Sequence, residues 1–484
     1  MGTDLKKQAG KKYPEVSSRK WFVFLLVGIG VFMSTLDGSI VNIALPAIMA
    51  DVGSSLSTVQ WVMMIYLLTV SSLLMSFGRL SDIRGRRWVY SRGLILFSLG
   101  SLCCAFSLTA FSLIFSRAFQ GLGAAMIMSC TQAIVVETFP PSERGRSLGM
   151  MGAVVASGLS AGPALGGWIL HISSWQTIFL INVPIGLITA LLVNRILKGG
   201  ISDRTRSEPF DWAGALLMTL TTGSSLFVIT HAYEWGYLSI PILCLSGTCI
   251  ISLIALILQE KKTESPLFHP SLLKIRLFTL PVFSLMILFA GLFTVIFLMP
   301  FFLMHPCGFP PGKTGFIMVT PFIFLFLFAP LSGSLSDRIG SRFLCTLGMG
   351  IMSLSFFFLA ELRPEMSLFS IALPLMLSGI GVAVFIAPNN STVMGAVPPQ
   401  FMGVAAGTVA TVRNLGMVLG IALAGTIFNS IFFKLSGGLR FQSYTPEMLP
   451  VYMAAFRHAM LAGGILSAAG IVITYLRGPD RKLL

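Results

Sequence analysis

The chain has 484 residues, 55% of them hydrophobic and only 11% charged, with a net charge of +15. Soluble domains hold roughly a quarter charged residues, and no loop here reaches the roughly 50 residues that a folded soluble domain needs. Apolar runs of roughly 18–25 residues recur along the whole length, which excludes a soluble enzyme, a separate basic nucleic-acid-binding domain and a β-barrel of short alternating strands, and implies an all-α polytopic membrane protein.

Fourteen spans are read, at 21–45, 58–77, 88–107, 111–136, 147–170, 175–196, 211–230, 238–258, 278–303, 314–332, 343–361, 367–391, 402–432 and 454–476. Lys6, Lys7, Lys11, Lys12, Arg19 and Lys20 make residues 1–20 a basic tail. The run after them is too long for the 7–15-residue core of a signal peptide, so it reads as an uncleaved first helix.

Span one holds LDGSIVNIALP, 36–46, with Asp37 about 17 residues in. A carboxylate at that depth is expensive and usually faces a cavity. It is either a hydrogen-bonded structural acid or a group that takes and releases a proton near neutral pH, and the second reading is favoured. GRLSDIRGRR, 78–87, joins spans two and three. Gly78 and Gly85 are expected to form tight turns there. Asp82 is expected beside a helix N-terminus, and Arg84, Arg86 and Arg87 are expected to pair with the other half of the molecule.

Span four carries Arg117, with Gln120 and Gly121 on neighbouring turns. Arginine keeps its charge, so Arg117 can bias a carboxylate but cannot be the proton carrier; snorkelling at a helix end is the alternative. Glu137 lies 20 residues, or about 30 Å of helix, further on. It reads as interfacial at the cytoplasmic end, with a place in the substrate cavity beside Gln120 as the other reading. In span five, Gly158, Gly162, Pro163, Gly166 and Gly167 put small residues on one face. Close helix packing and a hinge fit this pattern equally. WQTIFLINVPIG, 175–186, opens span six and closes a first six-helix unit, 21–197.

Spans seven and eight lie in a linker, 198–277, flanked by polar stretches. A second six-helix unit follows, 278–477. CGFPPGKT, 307–314, imitates a phosphate loop, but Cys307 replaces the required first glycine, so no nucleotide is expected. GSLSDRIGSR, 333–342, repeats the first decapeptide, with Gly333, Asp337 and Gly340 at the matching places. Arg413, a dozen residues into span thirteen, implies a carboxylate, carbonyl or substrate nearby and is assigned to the central cavity. The tail is 478–484. The seven cysteines and five histidines show no disulfide framework or metal spacing.

Further pairs keep the same order: Gly121 and Gly123 with Gly379 and Gly381, Pro140-Pro141 with Pro398-Pro399, and Gly158, Gly162 and Gly167 with Gly416, Gly420 and Gly425. They indicate an internal duplication. Six spans return the chain to its starting side, so the two units are parallel repeats, an arrangement that places a substrate site between them near the bilayer midplane. Of the 33 Lys and Arg residues, only Lys313, Arg363, Lys434 and Arg440 fall in segments opposite the N-terminus. Both termini are therefore expected to be cytoplasmic.

On these residues the chain resembles the major facilitator superfamily, in particular its fourteen-span drug:proton antiporter branch. GRLSDIRGRR is similar to the signature cytoplasmic loop, with Ile83 where a basic residue is usual. LDGSIVNIALP, LIFSRAFQGLGAA (113–125), GLSAGPALGG (158–167) and WQTIFLINVPIG resemble the motifs of spans one, four, five and six. The resemblance implies proton coupling through Asp37 and Arg117, a cytoplasmic gate built from the two decapeptides, and export. The expected activity is proton-coupled export of small amphipathic compounds by alternating access across the inner membrane of a bacterium. Its partners would be protons, a small-molecule substrate and the lipid bilayer, with no cofactor, metal or nucleic acid; any periplasmic adaptor is left open. A carrier for one metabolite and a non-transporting sensor on the same fold are the rival readings.

Overall fold

In the computed structural model, residues 14–140, 143–196, 212–262, 272–398 and 402–478 are described. The first half contains α1 (Pro14–Asp51), α2 (Leu56–Arg84), α3 (Arg86–Ala105), α4 (Ala110–Thr138), α5 (Arg144–Ile172), α6 (Gln176–Leu180) and α7 (Asn182–Ile196). A helical hairpin follows, α8 (Trp212–Trp235) and α9 (Ile240–Lys262). The second half contains α10 (Arg276–Met304), α11 (Pro311–Met318), α12 (Thr320–Ile339), α13 (Ser341–Ala360), α14 (Leu368–Gly395), α15 (Met402–Leu435) and α16 (Leu449–Leu476). Among the described residues, thirteen helices are long and apolar enough to cross a membrane, and Leu216–Ala232 in α8 is a shorter apolar stretch.

The helices start and stop for local reasons. Ser55 caps α2 by accepting from Thr58 N, and Thr109 and Ser112 form a reciprocal capping box at α4. The sixth predicted span is not one helix: its ladder is interrupted at Ile181, just ahead of Pro184, which has no N–H to give the carbonyl four residues back. Pro321 likewise follows an interruption, two residues after Val319 between α11 and α12.

The duplication is visible in the packing. In the first half α1 packs on α5, α3 on α4, and α2 on α4; in the second α10 packs on α15, α13 on α14, and α12 on α14. Glycines make the equivalent contacts. A Cβ at Gly158 or Gly162 would strike Thr35 or Ser39 of α1, and one at Gly416 or Gly420 would strike the backbone of Met286 or Ala290 in α10.

The two halves meet at the end remote from the termini, here the far end. A Cβ at Gly167 would lie 2.6 Å from Pro311 O, and one at Gly315 would collide with Pro163 O. Gly425 of α15 lies against the Gln60 side chain of α2, and Gln442 donates to Gly53 O at 3.1 Å. At the opposite, terminal end several charged side chains bond within their own half. Lys20 pairs with Glu143, Arg276 donates to Leu476 O, and Arg342 donates to Tyr475 O at 2.9 Å. The arrangement is closed at the far end.

The extra hairpin lies across the seam. α8 packs against both α2 and α15. The Trp61 ring of α2 is 5.1 Å from Phe227, which stacks on His231 at 4.4 Å, and Thr426 of α15 donates to Ile229 O at 3.2 Å.

Candidate functional site

Five elements converge on one buried carboxylate. Asp37 on α1 is fully buried, as are Arg117 (1% exposed) and Gln120 on α4. Arg117 Nη1 donates to Asp37 Oδ2 in a short ion pair. Gln120 Nε2 (2.9 Å) and Asn182 Nδ2 (3.1 Å) donate to Asp37 Oδ1. Arg117 also donates to Gln120 Oε1 at 2.6 Å and, through Nε, to Val62 O of α2 at 3.0 Å. Gln120 Nε2 reaches Ser101 Oγ of α3 at 2.6 Å. The guanidinium lies 4.2 Å from the centre of the Tyr66 ring, whose hydroxyl donates to Ser34 O.

The local sequence builds this cluster. Glycines on α3 and α4 let three helices touch at backbone distance: a Cβ at Gly100 would meet Gln120 Cα at 2.5 Å, and one at Gly121 would meet Thr69 Cβ of α2 at 2.9 Å. That contact leaves the long polar side chains of α4 pointing into the half. The interruption at Ile181 sets Asn182 at the start of α7, facing Asp37. Arg117 does not snorkel to an interface; it is spent on an ion pair inside the fold. Buried charges persist only when paired and hydrogen-bonded, and every polar atom of the Asp37 carboxylate is occupied.

The first decapeptide is a helix end held by its own half. The turn is made by Gly85 alone, at φ 91°; α2 runs six residues past Gly78, so Gly78 is a helical residue and not a turn. Its counterpart Gly333 is likewise a helical residue inside α12, whereas Gly340 turns at φ 88°. Arg86, first residue of α3, pairs with Asp82 (3.2 Å) and Glu137 (2.6 Å) and donates to Ala133 O. Arg87 donates to Asn194 O at 2.7 Å. These partners all belong to the first half, not to the other half as expected, because α4 and α7 end at the same level as the loop. Glu137 is thereby placed at the terminal end with Arg86, away from Gln120. The side chain of Asp337 lies outside the described residues.

The span-five glycines divide between two tasks. Gly158, Gly162 and Gly166 receive Thr35, Ser39 and Ile40, which flank Asp37, while Gly167 and Pro163 touch α11 of the other half. Arg413 on α15 is partly buried, and its Nε has no hydrogen-bond partner. Lys313 of the false phosphate loop sits over the Phe309 ring, 3.6 Å from its centre.

Asn182, Ser101 and Tyr66 were not singled out in the sequence. The one available signal, for Asn182, is an amide inside an apolar span two residues before a proline.

A family model described as Major Facilitator Superfamily matches residues 27–421 and 281–483. The riboflavin transporter RibZ of Clostridioides difficile is 34% identical over 469 residues, covering 96% of this chain and 99% of that protein. The multidrug resistance protein Stp of Mycobacterium tuberculosis is 30% identical over 410 residues, covering 83% of this chain and 75% of Stp. Among solved structures, a bacterial homologue of the human lysosomal transporter Spinster, in an inward-facing and occupied conformation, superposes with a TM-score of 0.68. Its identity is 16%, with 94% of this chain and 96% of that one covered.

Proposed function

The chain belongs to the Major Facilitator Superfamily, and from that premise we propose that it is a proton-coupled exporter of small amphipathic compounds. It is a multi-pass membrane transporter, not an enzyme, and its relatives are bacterial. In this reading there are fourteen crossings, the terminal end is cytoplasmic and the structure is the inward-facing state.

The observation that carries the reading is the fully buried Asp37, caged by Arg117, Gln120 and Asn182. A proton on Asp37 discharges the ion pair and leaves Arg117 without its counter-charge, a costly state inside the fold. The cluster then has to rearrange. The turn that holds Asp37 packs directly on Gly158 and Gly162 of α5, and the far end of the same helix, at Pro163 and Gly167, forms the seam with α11. Proton binding and the closed seam are therefore connected through one continuous helix, α5. Proton entry from outside favours the inward-facing state; cargo binding from inside favours proton release and reopening. The decapeptides, with Gly85 and Gly340 as their turns, form the gate at the other end.

The test is the purified chain in liposomes with an internal pH dye, an imposed gradient and candidate compounds added one at a time. Asp37→Asn, the nearest non-titrating mimic of the protonated acid, should abolish compound-induced proton movement. Retained proton-driven transport in the variant would remove the assignment.

A second reading has its own support. The riboflavin transporter RibZ matches this chain over nearly its whole length, which favours a carrier for one metabolite. Transport of a single compound from a broad panel would decide for it.

A further inference from the structure

Arg413 has no counter-charge among the described residues. Asp37 and Arg117 neutralise each other, and Arg457 meets Glu361 at 2.7 Å. Arg413 has neither an ion pair nor a hydrogen bond among the described residues, and its Nε is buried. The sequence offers nothing to neutralise it nearby. α10, α11, α13, α14, α15 and α16 contain no Asp or Glu, and the single acid of α12 is Asp337, at its terminal end. In the first half, Glu137 and Asp82 are already paired with Arg86. The repeat partner of Arg413 is Val155, so the duplicated architecture does not require a cation here.

Its position is internal. Thirteen residues of helix separate Arg413 from Thr426, a rotation of about 220° at 3.6 residues per turn. Thr426 faces the extra hairpin on the outside of the seam; Arg413 faces the other way. The helices α2 and α15 run antiparallel and touch at Gln60 and Gly425. Counting twelve residues from that contact, about 18 Å toward the terminal end, reaches Arg413 on α15 and Ser72 on α2. An arginine without a counter-charge among the described residues thus lies about 18 Å along α15 from the contact between the halves at Gln60 and Gly425, on the side away from the hairpin.

From this arrangement, and resting on the carrier reading above, we infer that Arg413 is the subsite for an oxyanion of the cargo, a carboxylate or a phosphate. A guanidinium presents a planar fork that matches both groups, and the cargo supplies the counter-charge that the protein lacks. A purely cationic cargo would be repelled from this level.

The test uses the full chain in detergent, without any pH gradient. Phenylglyoxal, which attacks unpaired guanidinium groups, is followed at Arg413 by peptide mass spectrometry. 2-Naphthoate and inorganic phosphate are expected to slow modification, naphthoate by about tenfold when present at about ten times its dissociation constant. The neutral 2-naphthamide and chloride should not. Protection in Gly152→Ala, where an added Cβ meets nothing within 4 Å, should match the unmodified chain, and Arg413→Lys should weaken binding of naphthoate measured by calorimetry. An unreactive Arg413, equal protection by the acid and its amide, or protection by chloride as good as by naphthoate would overturn the inference. If no compound moves in liposomes while the protection pattern holds, the carrier reading fails and the oxyanion site stands.

Discussion

Gly315→Ala should push the protein away from the closed far end without touching cargo or proton. A Cβ at this position would collide with Pro163 O and lie 2.9 Å from Gly167 Cα and 3.2 Å from Gly167 N. All three are backbone atoms of α5, so no side chain can swing aside to make room. Overpacking of this kind costs about 1–3 kcal/mol, which shifts a two-state equilibrium about 5- to 150-fold. The cost falls only on the state in which α5 and α11 touch. Spin labels on Ser174 and Glu365, on opposite halves near the far end, should show a longer distance distribution in lipid nanodiscs. Gly152→Ala is the control: it lies on the same α5, where an added Cβ meets nothing within 4 Å, and it should leave the distances unchanged. A Gly315→Ala distribution that superposes on the unmodified protein would refute the idea that this contact holds the seam.

Other expectations follow from single residues. Gly340→Ala forces a side chain into a backbone region at φ 88° and ψ 149° that only glycine occupies easily, at a cost of about 1–3 kcal/mol; the melting temperature in detergent should fall, as it should for Gly85→Ala, and an unchanged value in both would show the turns are not strained. Asn182→Ala removes one of the donors to Asp37 and should cost about 1.5–3 kcal/mol, read in the same assay; no shift would mean the amide contributes nothing. Glu137→Gln should change melting little, under about 1 kcal/mol, because its pair with Arg86 is partly exposed; a large drop would show that the helix end depends on it.

Much of the site was legible, but not its wiring. Asp37 and Arg117 stood out because charges in apolar spans are costly, and the fold brings them together. The sequence could not say that they meet, since they lie 80 positions apart and helix azimuth is set by packing. Asn182 was passed over because an uncharged amide is cheap by comparison, although Pro184 marks where the ladder breaks. The glycines of span five were ambiguous between packing and hinge; the structure divides them, three against α1 and one against the other half. Gly78 misled because a glycine beside a polar loop suggests a turn, whereas α2 continues to Arg84 and only Gly85 takes the positive φ. The partners of Arg86 were unreadable because they depend on where α4 happens to end.

The hairpin of α8 and α9 leaves and returns at the same end of the molecule. Its insertion therefore has even parity: it lengthens the join between the halves and still delivers α10 from the side where α7 stopped. Loss of one of the two helices would bring the second half in upside down, and every contact between equivalent helices, from Gly167 against Pro311 to Gly425 against Gln60, would be lost at once. Chains of this architecture can gain or shed helices at the join only in pairs.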